Sequence, residues 1–187
     1  IPAPPAPLPG ARLVTQYLDA VDSILVLAAA PAHRTLMDTV ATRLRALRQA
    51  GQAIYAGSCG HYLLEEIPRD AVTSTTLSVL PGAAASSAAV SRLPHRGDAM
   101  IWFGYGGYDC PNADVSGQFL DLGLKVVIAS DRPPVHPAAN VLAEIRLPWQ
   151  LPDGLVALPF PPGRVAPLSS VDMATHYIWF RRLLAEP

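Results

Sequence analysis

The chain has 187 residues, 50% hydrophobic and 16% charged, enough for one well-buried domain and too few for two independent cores. Its 14 basic and 15 acidic residues leave a formal net charge of -1, so no overall field draws in nucleic acid or an anionic membrane, and any anionic ligand has to be met locally. High apolar content with little charge points to surface covered in a homo-oligomer, a dimer or larger, although a large α/β core accounts for the same figures.

No apolar run approaches the ~20 residues that a membrane-spanning helix needs, and the start, "IPAPPAPLPGAR", lacks a basic region followed by a hydrophobic stretch. The expectation is a cytoplasmic protein without a membrane partner. Residues 1–12, rich in proline, are expected to form an extended arm ahead of a single domain over residues 13–187. The 2 cysteines, Cys59 and Cys110, make no disulfide framework, which fits a reducing compartment.

Helical periodicity comes first. Leu13, Tyr17, Val21 and Ile24 recur at helical spacing, and after Pro31 a second stripe runs through Leu36, Val40, Leu44 and Leu47 to a stop at Gly51. Arg43, Arg45 and Arg48 lie on other faces of that helix and read as water-facing charges that complement its dipole. From there strands and helices alternate. "QAIYAG" is a strand, "HYLLEEIPRDA" a helix, "STTLSVL" a strand and "AAASSAAVSRL" a weak helix. "DAMIWFGYG" is the third strand, and "NADVSGQFLDLG" is a helix capped by Asn112 or Asp114. "LKVVIASD" and "VLAEIRLPW" complete five strands, and a Pro- and Gly-rich stretch from Pro152 to Pro167 leads to the last helix. Ser169 stands three residues before Asp172 there, in a capping-box arrangement. The alternation predicts a parallel sheet covered on both faces; the expected fold is a three-layer α/β sandwich with five parallel strands, in which a flavodoxin-like order would make the first and third strands neighbours.

In such a sheet, ligands bind beyond the carboxyl ends of the strands, where the strand order reverses. That rule selects two glycine-rich turns, "GSCGH" after the first strand and "GYGGYDCPN" after the third. Each leads into a helix, so backbone N–H groups and a helix N-terminus can receive an anion such as phosphate. Glycines at strand-to-helix turns also have a plain geometric reason.

Several segments together resemble the SIS (sugar isomerase) domain family, whose members bind sugar phosphates. Two N-terminal helices precede the first strand, "IYAGSCGHYLLEE" is similar to the family's first phosphate loop and following helix, and "GDAMIWFGYGGYDCPNADV" to its second. "LGLKVVIASD" resembles the fourth strand, and "VAPLSSVDMATHYIWF" the last helix with its Ser-Ser entry. The similarity runs from about Leu13 to Leu184, and is greatest to a bacterial single-domain branch resembling phosphoheptose isomerase-like proteins.

This resemblance implies a ligand site built from Gly57, Ser58, Cys59 and Gly60, from Gly104, Tyr105, Gly106, Gly107 and Tyr108, and from Ser169 and Ser170. Family members commonly place a serine hydroxyl in each loop; gapless matching back from the Glu-Glu pair puts Gly60 and Gly106 at those positions. Ser58 stands beside the first of them.

Aldose–ketose interconversion moves a proton between adjacent carbons and needs a carboxylate or imidazole near the sugar. Glu65 and Glu66 follow the first loop and His61 stands within it. Only one of two adjacent helical carboxylates can face a crevice, since successive side chains are ~100° apart; an exposed helix face serves both equally well. His176 reads as packed or interfacial beside Tyr177 and Trp179, and His33 carries no assigned role. Cys59, His61, Asp109 and Cys110 would also make a zinc shell, less specific than paired Cys-x-x-Cys motifs; no cofactor or metal is expected. Two functions follow: binding of a phosphorylated or anionic sugar with isomerase activity through Glu65 or Glu66 and His61, or a non-catalytic sugar-phosphate sensor or assembly subunit.

Overall fold

The computed structural model describes residues 10–58, 77–79, 94–104, 122–130, 140–147, 156–158, 163–165 and 168–185. Two helices open it, α1 over Gly10–Ala28 and α2 over Pro31–Gln49. Pro31 sits at the start of α2, where its missing N–H costs nothing and its fixed φ suits a first turn. At the other end Gly51 has a φ of 85°, Gly51 donates its N–H to Arg48 O at 2.9 Å, and Gln52 donates to Leu47 O at 3.0 Å. This paired closure, with glycine in the left-handed conformation, is a Schellman stop.

Four parallel strands follow: β1 (Ile54–Ser58), β3 (Ala99–Gly104), β4 (Lys125–Ser130) and β5 (Val141–Arg146), with the two-residue β2 (Ser78–Val79) beside β1. Their order is β2-β1-β3-β4-β5. Near-continuous apolar sequence in β1, β3 and β4 matches burial on both sides, the usual condition of a parallel sheet. On one side Ile54, Ala56, Ile101, Phe103, Val127, Ala129 and Ile145 pack with Met37, Val40 and Leu44 of α2. Met173, Tyr177, Phe180 and Leu184 of α3 (Leu168–Ala185) complete that core. The alternate residues Tyr55, Met100, Trp102, Val126 and Ile128 are buried as well. Among the described residues the protein is therefore α/β with a parallel sheet and three helices, an arrangement compatible with three layers.

The amino ends of the strands are tied together by one side chain. Asp98, fully buried, accepts the Ala53 N–H on Oδ1 at 2.9 Å and the His95 N–H on Oδ2 at 2.8 Å. It thus joins the entries of β1 and β3 through charge-assisted bonds.

Several local expectations change. Helix α1 begins at Gly10, inside the stretch expected as an extended arm. The Pro- and Gly-rich stretch before the last helix contains an antiparallel pair, β6 (Val156–Leu158) with β7 (Gly163–Val165); three-residue strands between prolines are too short to show alternation. The arginines of α2 do not simply face water: Arg43 donates to Leu142 O at 3.0 Å and Arg45 to Leu183 O at 3.1 Å, while Arg48 donates to Leu184 O. Arg45 and Arg48 thereby serve the unpaired carbonyls at the end of α3. Helix α3 starts at Leu168, so Ser169 lies inside it, and Asp172 turns to His176 and not back to a cap. The helices expected over residues 61–71 and 83–93 lie outside the described residues, as does the one expected over 112–123 up to residue 121; Leu122 and Gly123 form a turn.

Candidate functional site at the carboxyl ends of the strands

From β1 the order runs outward to β2, and from β3 it runs the opposite way to β4, which makes the β1/β3 boundary the switch point, the place where open parallel sheets bind ligands. The two strands are paired in register from Ile54 with Ala99 to Ser58 with Phe103, and Gly104 pairs with Ser130 on β4. Ser58, Gly104 and Ser130 consequently end side by side. Ser58 is half-buried, Gly104 and Ser130 are buried.

Gly57 has a packing reason of its own. A Cβ there would lie 2.9 Å from Trp102 Cε3 and 3.4 Å from Met100 Sδ, so the glycine makes room for the indole on the neighbouring strand. Ser169 and Ser170 fall in the first turn of α3. The remaining expected site residues, Cys59, Gly60, His61, Glu65, Glu66, Tyr105, Gly106, Gly107 and Tyr108, lie outside the described residues, as do Asp109 and Cys110 of the zinc alternative. Among the described residues no group of three or more His, Cys, Asp or Glu side chains could hold a metal ion.

A polar cluster not foreseen from the sequence stands between α2 and α3. Bonds from Arg45 and Arg48 to the end of α3, and from His33 to His176, show that the two helices run in the same direction. Helix α2 reverses into β1 after a four-residue turn at Ala50–Ala53, so its amino end lies toward the carboxyl ends of the strands. His33 is in that first turn, ~15 Å along the helix from Arg43 by helical rise. Its Nε2 is 2.8 Å from Nε2 of His176. His176 Nδ1 is 2.9 Å from Asp172 O and 3.0 Å from Asp172 Oδ1.

His176 and Asp172 are fully buried, and His33 is half-buried. The His33 ring meets that of His176 edge to face, with 4.9 Å between centroids, and leans on Trp179 at 5.9 Å. Burial, then the neighbouring His176, hold the His33 pKa below its ordinary value, against the opposing pull of Asp172. Apart from the facing His176, neither Asp172 carboxylate oxygen has a hydrogen-bond partner among the described residues, although 3.0 Å to a ring nitrogen is ion-pair geometry.

His33 could have been found in the sequence. It stands one turn before Met37 and extends the buried stripe Met37, Val40, Ala41 and Leu44, while Asp172 and His176 share one helix face at a spacing of four. The pairing of His33 with His176, 143 residues apart, had no local signal.

Beside this cluster, Leu25, Ala28 and Ala29 of α1, Arg34 and Asp38 of α2, and Thr175, Ile178, Trp179, Arg182 and Leu183 of α3 surround an open groove of about 550 Å³. No helix among the described residues is long and apolar enough to cross a membrane.

No model of a known protein family matches the chain, and no curated protein matches it at a significant level.

Proposed function

We propose that the protein is an SIS-like three-layer α/β domain that binds a phosphorylated or otherwise anionic sugar at the carboxyl ends of β1 and β3, and that it interconverts aldose and ketose forms. One observation carries this reading: β1 and β3 are adjacent, parallel and at the point where the strand order reverses. The two glycine-rich turns quoted above leave from Ser58 and Gly104. Backbone N–H groups of those turns would grip the anion, with Ser58, Ser169 and Ser170 as hydroxyl donors. Glu65 or Glu66, with His61, would move the proton between sugar carbons.

The test is a thermal-shift screen with sugar phosphates. A bound ligand raises the melting temperature by mass action, and Gly60→Asp, which adds a carboxylate where the anion would sit, should abolish the rise. No shift across a broad panel sinks the proposal.

A second reading, an assembly subunit without catalysis, is favoured by α1. Ile24 and Ala28 are buried, whereas Val14 and Leu18 are each 59% exposed and Leu25 is 46% exposed. Those three exposed residues fall within about 40° of one another on the helix surface, directly beside the buried stripe. The apolar arc of α1 is therefore wider than the area α3 and α2 cover, and a second copy of the chain is the proposed cover. Light scattering that finds a monomer at all concentrations removes this partner. If sugar phosphates bind but the hydrogens beside a sugar carbonyl never exchange with solvent, the sensor reading replaces the isomerase.

A further inference from the structure

We propose that Asp172, His176 and His33 form a proton relay, with His33 Nδ1 as the proton-accepting atom and His176 and Asp172 as positioning residues. The role rests on the sugar-binding reading above, which supplies a carbonyl substrate, and it puts His33 in place of Glu65 or Glu66 as the base that takes the carbon-bound proton.

The hydrogen positions follow from the chain of contacts. A carbonyl only accepts, so the bond from His176 Nδ1 to Asp172 O at 2.9 Å fixes the proton of neutral His176 on Nδ1, with the Asp172 carboxylate 3.0 Å from the same nitrogen. Nε2 of His176 is then a lone pair, and the 2.8 Å contact requires His33 to donate from its own Nε2. Neutral His33 is left with its lone pair on Nδ1, which has no hydrogen-bond partner among the described residues. The order of burial matches: Asp172 and His176 are sealed from water, and His33 is half-buried at the end of the helix layer nearest the carboxyl ends of the strands.

A proton arriving at Nδ1 has a route inward. In the exchange step a C–H bond beside a sugar carbonyl breaks, its electron pair moves into an enediolate, and the proton bonds to His33 Nδ1. The Nε2 proton of His33 then passes to Nε2 of His176, and the resulting imidazolium faces the Asp172 carboxylate. Reversal returns a proton to carbon, so no oxidant, reductant or other co-reactant is needed. Burial and the positive end of the α2 dipole both favour neutral His33 at rest, the state a base requires. Among the described residues, Asp172 faces His176, the charged groups that line the adjoining groove are Arg34 and Asp38 on α2 and Arg182 on α3, and α1 lines it with Leu25, Ala28 and Ala29.

Two measurements decide the matter. In nitrogen NMR of ¹⁵N-histidine-labelled protein, the relay requires His176 protonated on Nδ1, His33 protonated on Nε2, and a His33 titration that moves in Asp172→Asn and in His176→Asn. The opposite His33 tautomer, or a His33 curve unchanged in Asp172→Asn, overturns it. The second measurement follows exchange of the hydrogens beside the carbonyl of fructose 6-phosphate and ribulose 5-phosphate in D₂O. His33→Gln should slow exchange ~100-fold or more, the scale of a lost general base, while the thermal shift with the same sugars persists. Asp172→Asn should move the pH profile of exchange with a smaller loss of rate. Exchange in His33→Gln at the parent rate overturns the relay. A thermal shift without exchange in the parent overturns the relay and leaves the crevice standing; no thermal shift overturns the crevice, and with it the role of His33.

Discussion

Asp98 and Asp172 are both fully buried, at opposite ends of the molecule, and they are treated differently. At the amino ends of the strands each carboxylate oxygen of Asp98 accepts a backbone N–H, from Ala53 and from His95, which are fixed donors that cannot move or titrate. At the other end Asp172 meets one imidazole, which meets a second, which is half-exposed. A carboxylate satisfied by backbone serves the fold. One that is met only through a chain of titratable groups keeps a line open to the surface, and burial of that kind is the pattern expected where a protein does chemistry.

The largest test of this contrast is Asp98→Ala. It strips two part-buried backbone N–H groups of their acceptor and should cost about 2–3 kcal/mol in urea unfolding, toward the lower part of the about 1–3 kcal/mol that each fully buried unsatisfied donor costs. A loss below about 1 kcal/mol would remove the structural half of the comparison. Next comes Gly57→Ala, which forces a methyl group against the Trp102 ring at 2.9 Å. Overpacking of this sort costs about 1–3 kcal/mol, and a neutral result would mean that the indole can swing aside and that the end of β1 is more open than its packing implies.

Asp172→Asn should do less. The amide oxygen can still accept from His176, and the change removes a buried charge held by a single partner. We expect unfolding free energy within about 1 kcal/mol of the parent, because His176 is neutral at rest and the substitution leaves no uncompensated buried charge. A loss as large as that of Asp98→Ala would make Asp172 a second structural anchor and dissolve the distinction.

The two ends also differ in how far the sequence announced them. The entries and exits of β1, β3 and β4 follow from their apolar runs, and the stop of α2 from Gly51, because those signals are local. The alternation of strands and helices implies a parallel sheet, whereas the adjacency of β1 and β3 follows only if that sheet has a flavodoxin-like order. By contrast, Arg45 and Arg48 looked like water-facing charges because the carbonyls they serve belong to the far end of the chain. Asp172 looked like a cap because its partner lies one turn onward and not one turn back. Of the expected site, Gly57, Ser58, Gly104, Ser169 and Ser170 fall on the ends of described elements. Gly57 has acquired a packing role that a glycine-rich motif cannot reveal without knowing that Trp102 lies across from it.

The smallest expected effect is the one that separates the two ends by pH. His33 has a folded pKa below its ordinary 6.5, so between those two values the unfolded chain binds more protons than the folded one. Unfolding there takes up a proton, and stability is intact above about 6.5, then falls as the pH drops through the folded value. Urea midpoints measured from pH 8 down to pH 5 should show this decline, and His33→Gln should flatten it. The same variant should leave the cost of Asp98→Ala unchanged, because sites this distant and without shared partners add independently. If instead the slope persists in His33→Gln, another group carries the pH response; if the two substitutions fail to add, the amino ends of the strands and the histidine chain are parts of one polar network and not two separate uses of a buried carboxylate.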